Sequence, residues 1–231
     1  MSEILNIKVP DGSFSAYVAR PKHEPAPAVV VLQEIFGVNT DMRQTAEELA
    51  ALGFIAICPD LFWRQVPNVE LSDKTDWDQA AKLYQAYDVN QGATDIIAAV
   101  DWARTLPGAT GQVGVVGFCL GGLMSYLTAA RGKVDAAVSY YGGRTDEFLD
   151  EASNITAPMI MHFGEEDEYI SQAAQQAIKG KMLGKPGVEI FSYPGCAHAF
   201  ARHHGTKFDE AAAHLANGRT AAFFKKHLGL A

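Results

Sequence analysis

Three features are scarce in this sequence of 231 residues: cysteine, basic charge and long apolar runs. The three cysteines (Cys58, Cys119 and Cys196) are an odd number and lie far apart, which predicts reduced thiols in the cytoplasm rather than a disulfide framework. Because 19 basic residues face 27 acidic ones, the formal charge of −8 argues against nucleic-acid and membrane partners. No signal peptide is predicted, and runs such as residues 28–32 suit buried strands.

Short apolar runs alternate with longer amphipathic ones along the whole chain, which predicts one α/β domain over residues 1–231. Strands of this kind, separated by helices, favour a mainly parallel sheet with helices on both faces. The first strand, Ser13–Arg20, alternates as an edge strand does. The other predicted strands are Ala28–Gln33, Phe54–Cys58, Gln112–Val116, Ala136–Tyr140, Pro158–Phe163 and Val188–Ser192. The predicted helices are Thr40–Leu52, Asp76–Tyr87, Val89–Arg104, Leu120–Arg131, Gln172–Leu183 and Glu210–Lys226.

The most informative segment is Gly117-Phe118-Cys119-Leu120-Gly121, which follows a predicted strand and precedes a predicted helix. It is the G-x-S-x-G pattern of the α/β-hydrolase fold, with cysteine in the serine position. The glycines permit a tight turn, and the start of the helix favours a thiolate on Cys119. The Leu120 N–H is then expected to receive a developing oxyanion. Taken alone, the segment also fits a glycine-rich turn with a buried cysteine.

An acid and a base follow in the order that this fold requires, nucleophile, acid, histidine. Asp167 comes after the strand at 158–163, and His198 comes after the strand at 188–192. Both loops leave carboxyl ends of strands, so we predict that Cys119, Asp167 and His198 form a catalytic triad. Neighbouring side chains are expected to play lesser parts: solvated acids at Glu165, Glu166 and Glu168, surface or rim histidines at His203 and His204, and a Cys196 whose reactivity is open.

A second loop, Gln33-Glu34-Ile35-Phe36-Gly37-Val38-Asn39, follows the strand at 28–33. The α/β-hydrolase fold takes its other oxyanion donor from this loop, and we assign that donor to the Ile35 N–H. Glu34 by itself fits a rim carboxylate or a helix-capping group. Four segments together resemble the dienelactone hydrolase (carboxymethylenebutenolidase) family over nearly the whole chain: QEIFGVN, FCLGG, GEEDEYI and GCAHAFAR.

The resemblance implies an enzyme that opens a small enol lactone without a cofactor or a metal. It implies that Cys119 attacks the lactone carbonyl, that an acyl-thiol intermediate is then hydrolysed, and that Glu34 helps to form the thiolate. It further implies that Arg202 binds a carboxylate on the substrate, since a guanidinium matches a carboxylate with two hydrogen bonds. Phe36 is expected to shape the substrate pocket. We expect a monomer whose partner is a small lactone or ester, with neither nucleic acid nor a membrane as a partner.

The sequence departs from the family at two positions. The resemblance places a second carboxylate-binding arginine and a tyrosine of the family at Trp77 and Ala81 of this chain. Half of the carboxylate clamp is therefore missing, and two alternatives stay open. One is a general carboxylesterase or thioesterase that uses the same triad. The other is a redox-sensing module that uses an accessible thiol of low pKa.

Overall fold

The computed structural model describes residues 1–230, and most of the chain belongs to one eight-stranded sheet and its helices. The strands are β1 (Ser2–Val9), β2 (Gly12–Ala19), β3 (Ala26–Leu32), β4 (Ile55–Pro59), β5 (Ala109–Phe118), β6 (Ala136–Tyr140), β7 (Met159–Gly164) and β8 (Val188–Tyr193). Their order is β1-β2-β4-β3-β5-β6-β7-β8. The pairings of β1 with β2 and of β2 with β4 are antiparallel, and those from β4 to β8 are parallel.

Helices cover both faces of this sheet, as predicted. They are α1 (Thr40–Ala51), α2 (Trp77–Gln85), α3 (Val89–Arg104), α4 (Leu120–Arg131), α5 (Gln172–Met182) and α6 (Glu210–Leu228), with a 3-10 segment at Thr145–Asn154. Every residue of β3, β4, β6 and β7 is buried. Since successive side chains of a strand point to opposite faces, complete burial requires cover on both sides. No helix within residues 1–230 combines the length and the apolar character needed to cross a membrane.

The predicted edge strand at Ser13–Arg20 is wrong in its position. That segment forms β2, which lies inside the sheet, and β1 (Ser2–Val9) forms the edge. Strand β1 has little apolar patterning in the sequence because most of its side chains are exposed, and Ile7 is its one fully buried position. The 3-10 segment at 145–154 was not predicted either. Helices α3 and α4 and strand β6 have the predicted bounds.

The parallel strands bring four loops to one edge of the sheet. Strands β3, β5, β7 and β8 lead into the loops that carry Glu34, Cys119, Asp167 and His198, respectively. In a parallel sheet the carboxyl ends of the strands lie at the same edge, where ligands bind in this class of fold. The fold therefore gathers side chains that are up to 164 positions apart in the sequence, from Glu34 to His198.

Candidate active site

Cys119 stands at a sharp turn between β5 and α4, with φ 53° and ψ −111°. A non-glycine residue at positive φ is strained, and such strain is held only by the surrounding structure. Two backbone approaches hold it here. A Cβ atom at Gly117 would lie 1.8 Å from the Gly121 carbonyl oxygen, and a Cβ atom at Gly121 would lie 2.2 Å from the Leu32 carbonyl oxygen. Only glycine fits either position, so the sequence pattern follows from the crossing of strand and helix.

The predicted acid and base are in direct contact. His198 Nδ1 and Asp167 Oδ2 are 2.8 Å apart, and both side chains are buried. The other Asp167 oxygen accepts hydrogen bonds from the backbone N–H groups of Tyr169 and Ile170, at 2.8 and 2.9 Å. Because both oxygens are engaged, the carboxylate is fixed in place and in turn fixes the imidazole with Nδ1 towards it.

The remaining imidazole nitrogen, His198 Nε2, is buried and has no hydrogen-bond partner within residues 1–230. Burial alone would lower the pKa of His198, but the charge of a Cys119 thiolate and the hydrogen bond with Asp167 outweigh it and raise the pKa to about 10. The thiol is thus close enough to couple with the imidazole, although no hydrogen bond of good geometry joins them. The rings of Tyr141 and Tyr169 flank the imidazole, each with its centroid 5.0 Å away.

Glu34 and Arg202 form a buried ion pair beside this group. Arg202 Nε donates to Glu34 Oε2, and Arg202 Nη1 donates to Asp73 Oδ2 at 3.2 Å. Burial lowers the pKa of Arg202, but Glu34 outweighs this effect and keeps the guanidinium protonated. The second Glu34 oxygen, Oε1, is buried and accepts no hydrogen bond from residues 1–230. One cation therefore faces two carboxylates, with one carboxylate oxygen left free.

A cavity of about 390 Å³ opens at this edge of the sheet. Its wall includes Cys119, His198, Arg202, Trp77, Tyr169 and Arg144, together with apolar surface. Phe36, expected to contact the substrate, lies behind this wall: it is buried, its ring centroid is 5.1 Å from that of Trp77, and the Arg202 guanidinium lies 4.9 Å from its ring centroid. The structure thus places Phe36 as a support for two wall residues.

The two expected oxyanion donors both lie on the cavity. Ile35 and Leu120 line its wall. Neither backbone N–H donates to another group within residues 1–230. The Gly121 N–H donates to the Gln33 carbonyl at 3.0 Å, so it ties the loop of Ile35 to the start of α4. Two unpaired N–H groups beside a nucleophile can stabilise a developing negative charge.

Several contributions to the site were not predicted from the sequence. Glu168, expected to be solvated, accepts a hydrogen bond at 3.1 Å from the backbone N–H of His198 and so helps to fix its loop. Asp73 comes from the irregular loop at 60–75, and Tyr141 and Arg144 follow β6. For Tyr141 and Arg144, the signal available in the sequence was the segment Tyr141-Gly142-Gly143-Arg144 directly after the carboxyl end of β6.

Three other residues lie apart from this group. His203 pairs with Glu48 at 3.4 Å, and the ring borders a different, small cavity. Cys58 and Cys196 are buried, and burial raises the pKa of both thiols. Among residues 1–230, no three His, Cys, Asp or Glu side chains come together in a way that could hold a metal ion.

Comparison with known proteins agrees with this geometry. Residues 14–228 match the model of the dienelactone hydrolase family. A homologue in Azospirillum brasilense, assigned as a carboxymethylenebutenolidase, is 44% identical over 98% of this chain and 100% of its own length. The carboxymethylenebutenolidase of Pseudomonas putida is 39% identical over 96% of each chain. A crystal structure from Klebsiella pneumoniae, assigned as a dienelactone hydrolase, superposes with a TM-score of 0.87 at 28% identity, over 98% of each chain.

These matches span almost the full length of the chain and of the proteins it resembles. The α/β-hydrolase fold and the family resemblance predicted from QEIFGVN, FCLGG, GEEDEYI and GCAHAFAR are confirmed. The chain belongs to the dienelactone hydrolase family, and it is a lactone or ester hydrolase.

Proposed function

We propose that the protein is a cysteine-dependent hydrolase that opens a small enol lactone through an acyl-thiol intermediate. One observation supports this most strongly. A buried Asp167–His198 pair leaves His198 Nε2 free beside Cys119, on the wall of a cavity that fits a small molecule. A nucleophile, a base and an orienting carboxylate in this arrangement are the requirements of covalent acyl transfer.

Acylation begins from the thiolate. The free nitrogen of His198 and the free Oε1 of Glu34 are the two groups that can take the proton of the Cys119 thiol. Sγ then attacks the carbonyl carbon, and the N–H groups of Ile35 and Leu120 receive the oxyanion. When the tetrahedral intermediate collapses, the ring C–O bond breaks, the enolate oxygen is released but stays attached to the acyl chain, and Cys119 carries that ring-opened chain as a thioester.

Deacylation requires His198 to act as a base. The thiolate charge on Cys119 is the largest of the effects that raise the pKa of His198 in the free enzyme. A thioester carries no such charge, so acylation lowers the pKa of His198 and releases its proton, which the enolate of the ring-opened chain can accept. The neutral imidazole then takes a proton from water, which attacks the thioester carbon and regenerates the thiol and a carboxylic acid.

The substrate proposed from the resemblance is a small lactone or ester that bears a carboxylate, and the protein is proposed to act as a monomer. Arg202 lines the cavity, but two of its nitrogens are engaged by Glu34 and Asp73. Its third nitrogen, Nη2, donates no hydrogen bond within residues 1–230 and remains available to a substrate carboxylate, whereas a contact through Nε requires Glu34 to yield. A second candidate, a hydrolase of neutral esters or thioesters, is favoured by the apolar Trp77 and Ala81 on the wall.

The test compares Cys119→Ser with the wild type on a dienelactone and on 4-nitrophenyl acetate. We expect kcat/KM to fall by at least about a thousandfold, because the nucleophile and its base act as a unit. Cys196→Ser, two residues from His198 but buried, is the matched control and is expected to retain activity. An intact-mass measurement should show an acyl adduct on the wild type alone. Unchanged turnover by Cys119→Ser contradicts the proposal.

A further inference from the structure

Two guanidinium groups line the cavity, and their surroundings differ. Arg202 is 7% exposed and is held between Glu34 and Asp73, so this group of three side chains carries a formal charge of −1. Arg144 has 43% of its side chain exposed and pairs with one carboxylate, that of Glu147. In a chain of formal charge −8, Arg144 is the cavity-lining cation whose charge is least committed.

The Arg144–Glu147 pair is of a kind that a ligand can replace. Arg144 Nε lies 3.0 Å from each Glu147 oxygen, and Nη2 lies 2.8 Å from Oε2. Both side chains are more than two-fifths exposed, and exposed ion pairs contribute little to stability because water and salt screen them. A substrate carboxylate of suitable reach can therefore take the place of Glu147 on the same fork of N–H donors.

The backbone at Arg144 also indicates a function for its side chain. Arg144 has φ 64° and ψ 8°, the left-handed conformation that glycine adopts without cost. Arginine therefore occupies a position at which glycine would be less strained. Strained residues of this kind cluster at functional sites, and the Arg144 side chain lines the cavity, so a ligand contact gives a reason for arginine at this position.

Tyr84 connects Arg144 with the reacting group. Burial raises the pKa of Tyr84, a charge on Cys119 adds to the rise, and the guanidinium of Arg144 opposes it. The Tyr84 hydroxyl therefore lies within electrostatic reach of both groups. All three residues line the same cavity. A small molecule whose carbonyl is at Cys119 can thus extend its other end towards Arg144.

We propose that Arg144 is a specificity-determining residue that binds the carboxylate of an anionic substrate in exchange for Glu147. The inference rests on the proposed function, which supplies the reacting end of the substrate at Cys119. It assigns selection for anionic substrates to the wall formed after β6, and it leaves Arg202 chiefly to hold Glu34 in place.

The experiment compares two esters with the same scissile bond, mono-4-nitrophenyl glutarate and its neutral methyl ester. For Arg144→Ala we expect kcat/KM on the acid to fall about 10- to 100-fold, mainly through KM, as loss of a charged hydrogen bond predicts. The neutral ester should change less than about threefold, because it makes no charged contact with Arg144. Glu147→Gln should raise kcat/KM on the acid by about two- to fivefold, since it removes the competing carboxylate.

Two variants serve as controls. Arg20→Ala removes the same charge from an arginine that pairs with Glu3 and Glu24, outside the cavity, and should leave both esters unaffected. Arg144→Gly relieves the left-handed backbone, so its Tm should equal or exceed that of the wild type while preference for the acid is lost. A loss of activity caused by unfolding would instead lower the Tm.

Calorimetric binding of glutarate to the wild type and to Arg144→Ala tests the same contact without turnover. The inference is overturned if the wild type and Arg144→Ala bind glutarate with equal affinity, or if Arg144→Ala loses activity on both esters to the same extent. Either result leaves the proposed function intact. Failure of the proposed function would give a different result, because turnover of both esters would then be independent of Cys119. Weaker binding of glutarate by Arg144→Ala would in that case still support the role of Arg144.

Discussion

The floor and the rim of the cavity are built differently. The floor consists of Cys119, His198 and Arg202 on the cavity wall, together with Asp167 and Glu34 that pair with them from behind, and all of these but Cys119 are at most 8% exposed. The rim consists of Trp77, Tyr169 and Arg144. Trp77 is 42% exposed, Tyr169 is 63% exposed, and 43% of the Arg144 side chain is exposed. Buried charged groups must be paired, so the floor is a fixed network, whereas the rim can vary at little cost. This difference separates the groups proposed for chemistry from those proposed for substrate choice.

The largest effect is expected on the floor, for Asp167→Asn. The amide keeps the shape but does not stabilise the imidazolium or fix its tautomer, so we expect kcat to fall by about 10³- to 10⁴-fold. Glu165→Gln, an exposed carboxylate in the same loop, is the matched control and should leave kcat unchanged. Turnover of both ester and lactone gives the measurement. A fall of only a few fold would show that the Asp167–His198 contact is structural.

A smaller effect is expected beneath the floor, for Gly121→Ala. The new methyl group would lie 2.2 Å from the Leu32 carbonyl oxygen, a backbone atom that cannot move without displacing β3. We expect urea unfolding to show a loss of about 3 kcal/mol or a failure to fold. Gly218→Ala in α6 is the control, since nothing lies within 4 Å of its added methyl group and alanine favours a helix. Equal stability of the two variants would contradict the tight crossing.

The smallest effect is expected on the rim, for Trp77→Ala. Its ring meets Phe36 edge to face at 5.1 Å and covers one side of the cavity. Losing this apolar surface should raise KM for neutral esters about three- to tenfold with little change in kcat. Leu215→Ala, an exposed apolar residue of α6, should have no effect. A fall in kcat comparable to that of Asp167→Asn would place Trp77 with the floor.

Much of the fold and of the floor could be predicted because their signals are local. Burial dictates the apolar runs of β3 and β6, and steric contact dictates the glycines around Cys119, so both are visible in the sequence. The order of Cys119, Asp167 and His198 then follows from the direction of the parallel strands. Whether these residues act as a triad stays a prediction until the variants are measured.

The remaining features depend on contacts between distant segments. Asp73 meets Arg202 across 129 residues, and an irregular loop offers no periodic pattern from which that meeting could be predicted. The role proposed for Arg144 could not be predicted from the sequence, because it depends on a backbone angle and on the pairing of Arg202 with Glu34 and Asp73. Strand β1 escaped notice because an exposed edge strand carries few apolar residues.

The hydrogen bond from the Gly121 N–H to the Gln33 carbonyl links the two loops that hold the proposed oxyanion donors. The backbone N–H groups of Ile35 and Leu120 are therefore held at a fixed distance from each other and cannot shift independently. A substitution in either loop that lengthens this bond should loosen both donors together. Measured separately, their contributions to catalysis would then fail to add.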